Sequence, residues 1–330
     1  MKQFLIGCVL FCVGCQPNTS FQYSVYWWKH STQLSQQQEE FLVQNDIRKV
    51  YLRIFDLKWN EHKDIISIPK VYDRFKQENV EICPVIYIEN QVLLNFSLDT
   101  ILDVIKCNVD AARQTGVIDN TNSIQIDCDW TISTKEKYFN LLVFLSDYID
   151  CVSATIRLHQ IKYFRVTGVP PVNRGVLMIY NLDSPADTNI RNSIFSFEKA
   201  LLYLKGNLEH YPLQLDIALP AFSWGVHFHY GKIKSLIANF HPSDIETENM
   251  VRKKNGNFKA NKAHFFNTHR ISKRDEVRYE YPCTNEVAKM MDYLNKHLNQ
   301  DSSEVIFFSL NSDFLINNKK EYEKIIYTYR

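Results

Sequence analysis

Neither sign of charge dominates this chain. Its 330 residues carry 38 Lys and Arg against 37 Asp and Glu, for a formal net charge of +1. So balanced a chain has no bulk field to draw in nucleic acid or an anionic membrane surface, and no nucleic-acid partner is expected. The nine glycines never form Gly-x-Gly-x-x-Gly behind a strand, and there is no Walker loop. Both nucleotide-binding fingerprints are thus missing. No cysteine spacing makes a metal knuckle, and no cofactor or metal is expected. Past Cys15 the cysteines are Cys83, Cys107, Cys128, Cys151 and Cys283, an odd number. Cys83, Cys128 and Cys151 sit in or beside apolar runs and read as buried free thiols. No linker rich in Gly, Pro or Ser divides the body, and no repeat at a solenoid period appears.

At the N-terminus, Lys2 precedes a short apolar run from Phe4 to Val13 that ends in Cys12-Val13-Gly14-Cys15. The run is too short to span a bilayer. Small residues followed by Cys resemble the lipobox of bacterial lipoproteins, with Cys12 where that motif usually has Leu. The expectation is a signal peptide and tether over residues 1–20, with Cys15 the lipidated first mature residue. An ordinary signal peptide cut nearby is the alternative. Lipid on Cys15 would anchor the protein to the bacterial cell envelope without spanning the membrane.

The body, residues 21–330, alternates strand and helix signals. Strands are predicted at 23–28, 49–56, 80–89, 123–129, 151–159, 174–181, 213–221 and 304–310. Helices are predicted at 35–46, 69–79, 98–115, 138–149, 193–204, 285–298 and 319–327. Ser35 with Gln38, and Ser133 with Glu136, are spaced as capping boxes. Gly116 marks a helix stop. About eight βα units in one domain predict a (β/α)8 TIM barrel. Residues 224–282 are too long for a structureless loop. They are expected to form an insertion over the C-terminal mouth, with a hairpin made of His264–Ile271 and Glu276–Tyr281 around Ser272–Asp275.

The informative stretch is Ser123-Ile-Gln-Ile-Asp-Cys-Asp-Trp-Thr131. Ile124, Ile126 and Cys128 alternate with Gln125, Asp127 and Asp129, a strict period of two. In a barrel the polar row points inward, toward the end where chemistry is placed. Thr155, Arg157 and His159 would join it from the fifth strand, and Met178 and Tyr180 from the sixth. Glu89 ends the third strand. Trp28, Trp130 and Trp224 stand at or just beyond strand ends, as do Trp27 and Trp59. Carboxylates facing a cation, with a Tyr hydroxyl and flat rings nearby, suit a sugar: rings give platforms, and carboxylates give acid, base or nucleophile. The same residues also suit an ion-paired barrel interior, with Asp127 and Asp129 held by Arg157 or Arg53.

Ile126-Asp-Cys-Asp-Trp130 resembles the fourth-strand motif of family-18 glycoside hydrolases, Asp-x-x-Asp-x-Asp-x-Glu. Met178-Ile-Tyr180-Asn181 resembles that family's sixth-strand Met-x-Tyr-Asp. The chain also looks similar to uncharacterised bacterial lipoproteins. The family resemblance implies a barrel acting on a glycan, with a Glu as general acid and the substrate's acetamido group as nucleophile. In one register Asp127 and Asp129 match while Thr131 replaces the Glu and Ile124 the first Asp. In the other, Asp129 replaces the Glu and Asp127 is the assisting Asp, with Gln125 and Asn122 in the remaining places. Thr has no useful acidity. Two functions follow: a membrane-anchored hydrolase-like protein with Asp129, Asp127 and Tyr180 at the chemistry, or a non-catalytic glycan- or partner-binding lipoprotein; a barrel enzyme of unrelated chemistry is a third, since fold does not fix function. In the first two, Trp130, Arg157, His159, Glu89, Met178, Asn181, Trp224 and Trp28 are candidate glycan contacts. The chain is expected to be a monomer.

Overall fold

The computed structural model describes residues 19–330 apart from 61, 63, 72, 76, 78, 120, 242–248, 254 and 255. The expected signal peptide and Cys15 lie outside the described residues. Eight parallel strands form the centre: β1 (Ser20–Trp27), β2 (Lys49–Trp59), β3 (Glu81–Ile88), β4 (Ser123–Asp127), β5 (Cys151–Arg157), β6 (Arg174–Met178), β7 (Leu215–Pro220) and β8 (Ser302–Phe308). Each bonds its neighbour in the chain, and β1 pairs with both β2 and β8, which closes the sheet. This is the (β/α)8 TIM barrel that the alternation predicts.

The period of two in β4 sorts its side chains as expected. Ile124, Ile126 and Cys128 are buried on the helix side, where the Tyr138 hydroxyl reaches the Ile126 carbonyl at 3.5 Å. Gln125 points inward and accepts a hydrogen bond from the Tyr26 hydroxyl of β1 at 2.6 Å. Below it the barrel is plugged by polar pairs. The Tyr51 hydroxyl donates to Glu304 at 2.6 Å, and Arg174 donates to Asp216 at 2.7 Å. Such buried pairs hold together because every charge has a partner and a hydrogen bond.

Several local expectations change. Pro84 lies inside β3, where the register with β4 begins only at Val85, so its missing N–H costs no bond to β4. In place of a helix over 69–79, Ile65–Pro69 pairs antiparallel with the end of β2, and no helix forms among the described residues 70–79. Ser35 and Gln38 do form a capping box. Ser133 does not cap its helix: Lys135–Ser146 starts after Thr134, whose hydroxyl bonds Asn90 instead. The fifth strand stops at Arg157, and Leu158–Lys162 is a short helix.

The insertion is mostly sheet. Strands Lys232–Ala238, Trp224–His229, Glu276–Glu280, Phe258–Ala260 and Met250–Arg252 lie side by side in that order. They cover a small core that includes Ile237, Phe240, Phe258 and Val277. The expected hairpin is differently paired. His264–Phe266 and His269–Ile271 pair with each other, while Glu276–Glu280 joins the larger sheet. Arg278 and Asn239 attach the insertion to the loops after β6 and β8, at the C-terminal end of the barrel. Arg278 donates to the carbonyls of Pro185, Asp187 and Ile190, and Asn239 accepts from the Ser312 hydroxyl at 3.2 Å.

Candidate active site at the C-terminal mouth

Asp127 ends β4 on the inward face, and Asp129 lies two residues further toward the mouth. Asp127 is half-buried and accepts a hydrogen bond from the Thr155 hydroxyl at 2.8 Å. Burial is the main reason its pKa rises to about 6; the Thr155 hydrogen bond opposes that, and the Asp129 charge adds to it. Asp129 is exposed on about half of its side chain, 51%. The guanidinium of Arg157 grips it at both oxygens, Nε to Oδ1 at 2.6 Å and Nη2 to Oδ2 at 2.9 Å. Arg157 therefore serves Asp129, where the sequence leaves it free to hold Asp127.

Tyr180 is buried and stacks on Phe308, ring centroids 5.0 Å apart. Burial first, and then the charge of Asp127, push its phenol well up, so it stays a donor. Met178 lies at the end of β6, in register with Arg157 of β5. Trp28 is half-buried and edge-on to both Tyr26 and Phe308 at 5.2 Å. Its ring also faces the Arg53 guanidinium at 5.2 Å. These residues, with the two carboxylates, make one cluster.

The other candidates lie elsewhere or are engaged. Trp130 is 4% exposed and stacks on Tyr138 at 5.0 Å. It belongs to the layer between barrel and helix, on the side that Ile124, Ile126 and Cys128 also face. That removes it from the glycan contacts. His159 is on the helix after β5 and exposed, not in the inward row. Loss of water lowers its pKa and the charge of Arg157 lowers it further. Glu89 accepts the backbone N–H of Trp59 at 3.2 Å, a bond that anchors the end of β2. Asn181 is exposed, with a left-handed backbone at φ 54°. Trp224 is half-buried, and its indole N–H donates to Glu280 at 2.8 Å. Thr131 bonds the Ser133 and Thr134 hydroxyls in the turn before the helix.

Sequence reasoning did not single out Tyr87, Asp56 or Phe308. Tyr87 pairs with Asp127 across β3 and β4, and burial lifts its pKa to about 12. Its ring lies 5.4 Å from the Arg53 guanidinium, which also has Trp28 at 5.2 Å. A bulge between Arg53 and Phe55 explains how Arg53 reaches Asp56 at 2.6 Å. Residues three apart on a regular strand face opposite sides; one extra residue brings them to the same side. The signal for Tyr87 was present, since Val85 and Tyr87 share the parity of the inward row.

No family model matches the chain, and no curated protein matches it in sequence. Solved structures do match in shape. A family-18 chitinase mutant from Cycas revoluta, in complex with (GlcNAc)4, superposes with a TM-score of 0.53 at 14% identity, covering 93% of this chain and 99% of that one. A chitinase from Chromobacterium violaceum gives 0.54 at 9% identity, covering 91% and 98%. The spore cortex-lytic enzyme SleL of Bacillus cereus gives 0.52 at 12% identity, covering 93% and 74%. The likeness is one of fold: a (β/α)8 barrel shared over nearly the whole of this chain.

Proposed function

We propose that this protein binds a glycan at the C-terminal mouth of its barrel and does not cleave it. One observation carries the reading: both oxygens of Asp129 accept from Arg157. Asp129 is the carboxylate at the mouth, where a leaving oxygen would need a proton. An acid held by a guanidinium fork must first break that pair. Recognition needs less. Trp28 and Phe308 are half-buried rings in contact with each other, with Tyr180 stacked on Phe308, and rings near carboxylates are a mixture that suits a sugar. The Cycas chitinase structures hold (GlcNAc)3 and (GlcNAc)4, which makes N-acetylglucosamine oligomers the first ligands to try.

Hydrolysis is the second reading, favoured by Asp127. Its pKa of about 6 lies in the range where one carboxyl both gives and takes a proton near neutrality. Anchoring through lipid on Cys15 completes the proposal and rests on the N-terminal sequence alone.

The test is calorimetry and product analysis with the N-acetylglucosamine tetramer. We expect binding that Trp28→Ala weakens at least 10-fold, and no shortened oligomers. Cleavage that Asp127→Asn abolishes would replace this reading with the second. Absence of both binding and cleavage across neutral and acidic oligosaccharides would remove the glycan assignment.

A further inference from the structure

The insertion holds a hydrogen-bonded row of side chains that the barrel mouth does not use. His227 and Ser235 face each other across the antiparallel strands Trp224–His229 and Lys232–Ala238. The register shifts between Ile233 and Ser235, which sets the hydroxyl against the ring. Ser235 Oγ lies 3.4 Å from His227 Nδ1, and His227 Nε2 lies 2.7 Å from Asp275 Oδ2. Asp275 also accepts from His229 Nδ1 at 2.6 Å and from the Ser272 N–H at 2.8 Å. Lys234 Nζ stands 4.0 Å away. On the far side of Ser235, His269 Nδ1 is 3.2 Å from the same hydroxyl. His227 and Asp275 are buried, while Ser235 keeps access to solvent on the edge strand of the sheet.

One placement of the protons suits this row, with His269 donating Nδ1–H to Ser235 Oγ. Burial pushes the Asp275 carboxyl up, but the His229 ring, the Ser272 N–H and the His227 ring outweigh it and hold the group below the usual range. Burial lowers His227, more than Asp275 raises it, and Lys234 and His269 lower it further. At neutral pH the ring is then neutral beside a carboxylate. It donates Nε2–H to Asp275 and presents the Nδ1 lone pair to the Ser235 hydroxyl. A serine facing a neutral imidazole, itself oriented by a buried carboxylate, is the arrangement that activates a hydroxyl for attack.

We propose that Ser235 is a nucleophile toward small acyl esters, with His227 as its base and Asp275 and His269 as positioning residues. Ser235 Oγ bonds to the ester carbonyl carbon while its proton passes to His227 Nδ1. The carbon–alkoxy bond then breaks, and the departing alcohol takes that proton. Water attacks the acyl-serine by the same route, releasing a carboxylic acid and restoring the hydroxyl. The balance is ester plus water to acid plus alcohol, with no oxidant or cofactor. The assignment does not depend on the barrel mouth.

The full chain is treated with a fluorophosphonate probe, digested and read by mass spectrometry. The expected result is one adduct on Ser235 and none in Ser235→Ala. p-Nitrophenyl acetate should be hydrolysed above the buffer rate and lose ~10³-fold in Ser235→Ala or His227→Gln. Asp275→Asn should move the pH profile of kcat as well as its height, which a merely structural role would not. An unlabelled Ser235 in the folded wild type overturns the proposal, as does equal ester hydrolysis by wild type and Ser235→Ala. Should Ser235→Ala fail to fold, the presence or absence of the wild-type adduct decides alone.

Discussion

Arg157 holds Asp129 by both arms of its guanidinium, at 2.6 and 2.9 Å. The pair bridges the ends of neighbouring barrel strands β4 and β5. Asp129 is half exposed, so solvent weakens the attraction, and the fork's geometry matters more than its energy. Arg157→Lys should therefore cost only about 0.5–1 kcal/mol in urea melts. It should nonetheless change glycan affinity several-fold, because an ammonium cannot hold both oxygens. A glycan affinity unmoved by Arg157→Lys would separate the fork from the binding site.

Asp127 gives a stability prediction with a definite sign. Its folded pKa, about 6, lies above the ordinary carboxylate value. The folded state therefore favours the protonated form. The contribution to stability is full below about pH 4 and is lost as pH rises through 6. Asp127→Asn should flatten that loss. At pH 7 the variant should be more stable than wild type by up to about 3 kcal/mol, and at pH 3.5 by almost nothing. Urea midpoints at the two pH values measure this; an equal shift at both would place the cause in packing.

Trp130→Ala should destabilise the protein by about 3–5 kcal/mol, the usual cost of deleting a buried aromatic side chain. Its ring stacks on Tyr138 inside the helix layer. Glycan affinity of the protein that remains folded should match wild type. A selective loss of binding without loss of stability would return Trp130 to the mouth.

Arg278 donates to Glu280 and to three carbonyls of the loop after β6, with 5% of its side chain exposed. Arg278→Ala strips a buried carboxylate of its cation and should cost about 3–5 kcal/mol. Limited proteolysis should cut the variant first within residues 182–193 or 224–282, while the barrel core stays protected. Uniform loss of protection would mean that the insertion and barrel unfold together.

Periodicity carried the sequence reading as far as periodicity lasts. Along β4 it sorted Ile124, Gln125, Ile126 and Asp127 correctly, since a strand between two packed layers tolerates no other order. It failed at His159 because the strand ends at Arg157 and a helix follows; Trp130 shares the parity of Ile124, Ile126 and Cys128 and is buried on their side, so there the alternation pointed correctly and the ring's place at a strand end misled. The Arg157 partner was hidden for a different reason. Both aspartates lie within reach of that side chain, and a choice between them is made by three-dimensional placement. The Arg53–Asp56 pair needed a bulge, which no pattern in Lys49–Trp59 announces. The row in the insertion joins residues 227 to 275 through pairings between strands, so no local motif marks it.

The barrel is closed by β8 on β1, with Ser20 paired to Ser302. Ser302–Phe308 is made after every other barrel strand. Until it emerges, β1 and β7 are open edges, and the rings of Tyr23 and Tyr26 lack the partners Phe307 and Phe308. Such edges invite pairing with other chains. Folding should thus be governed by one late, long-range contact, and slow accordingly.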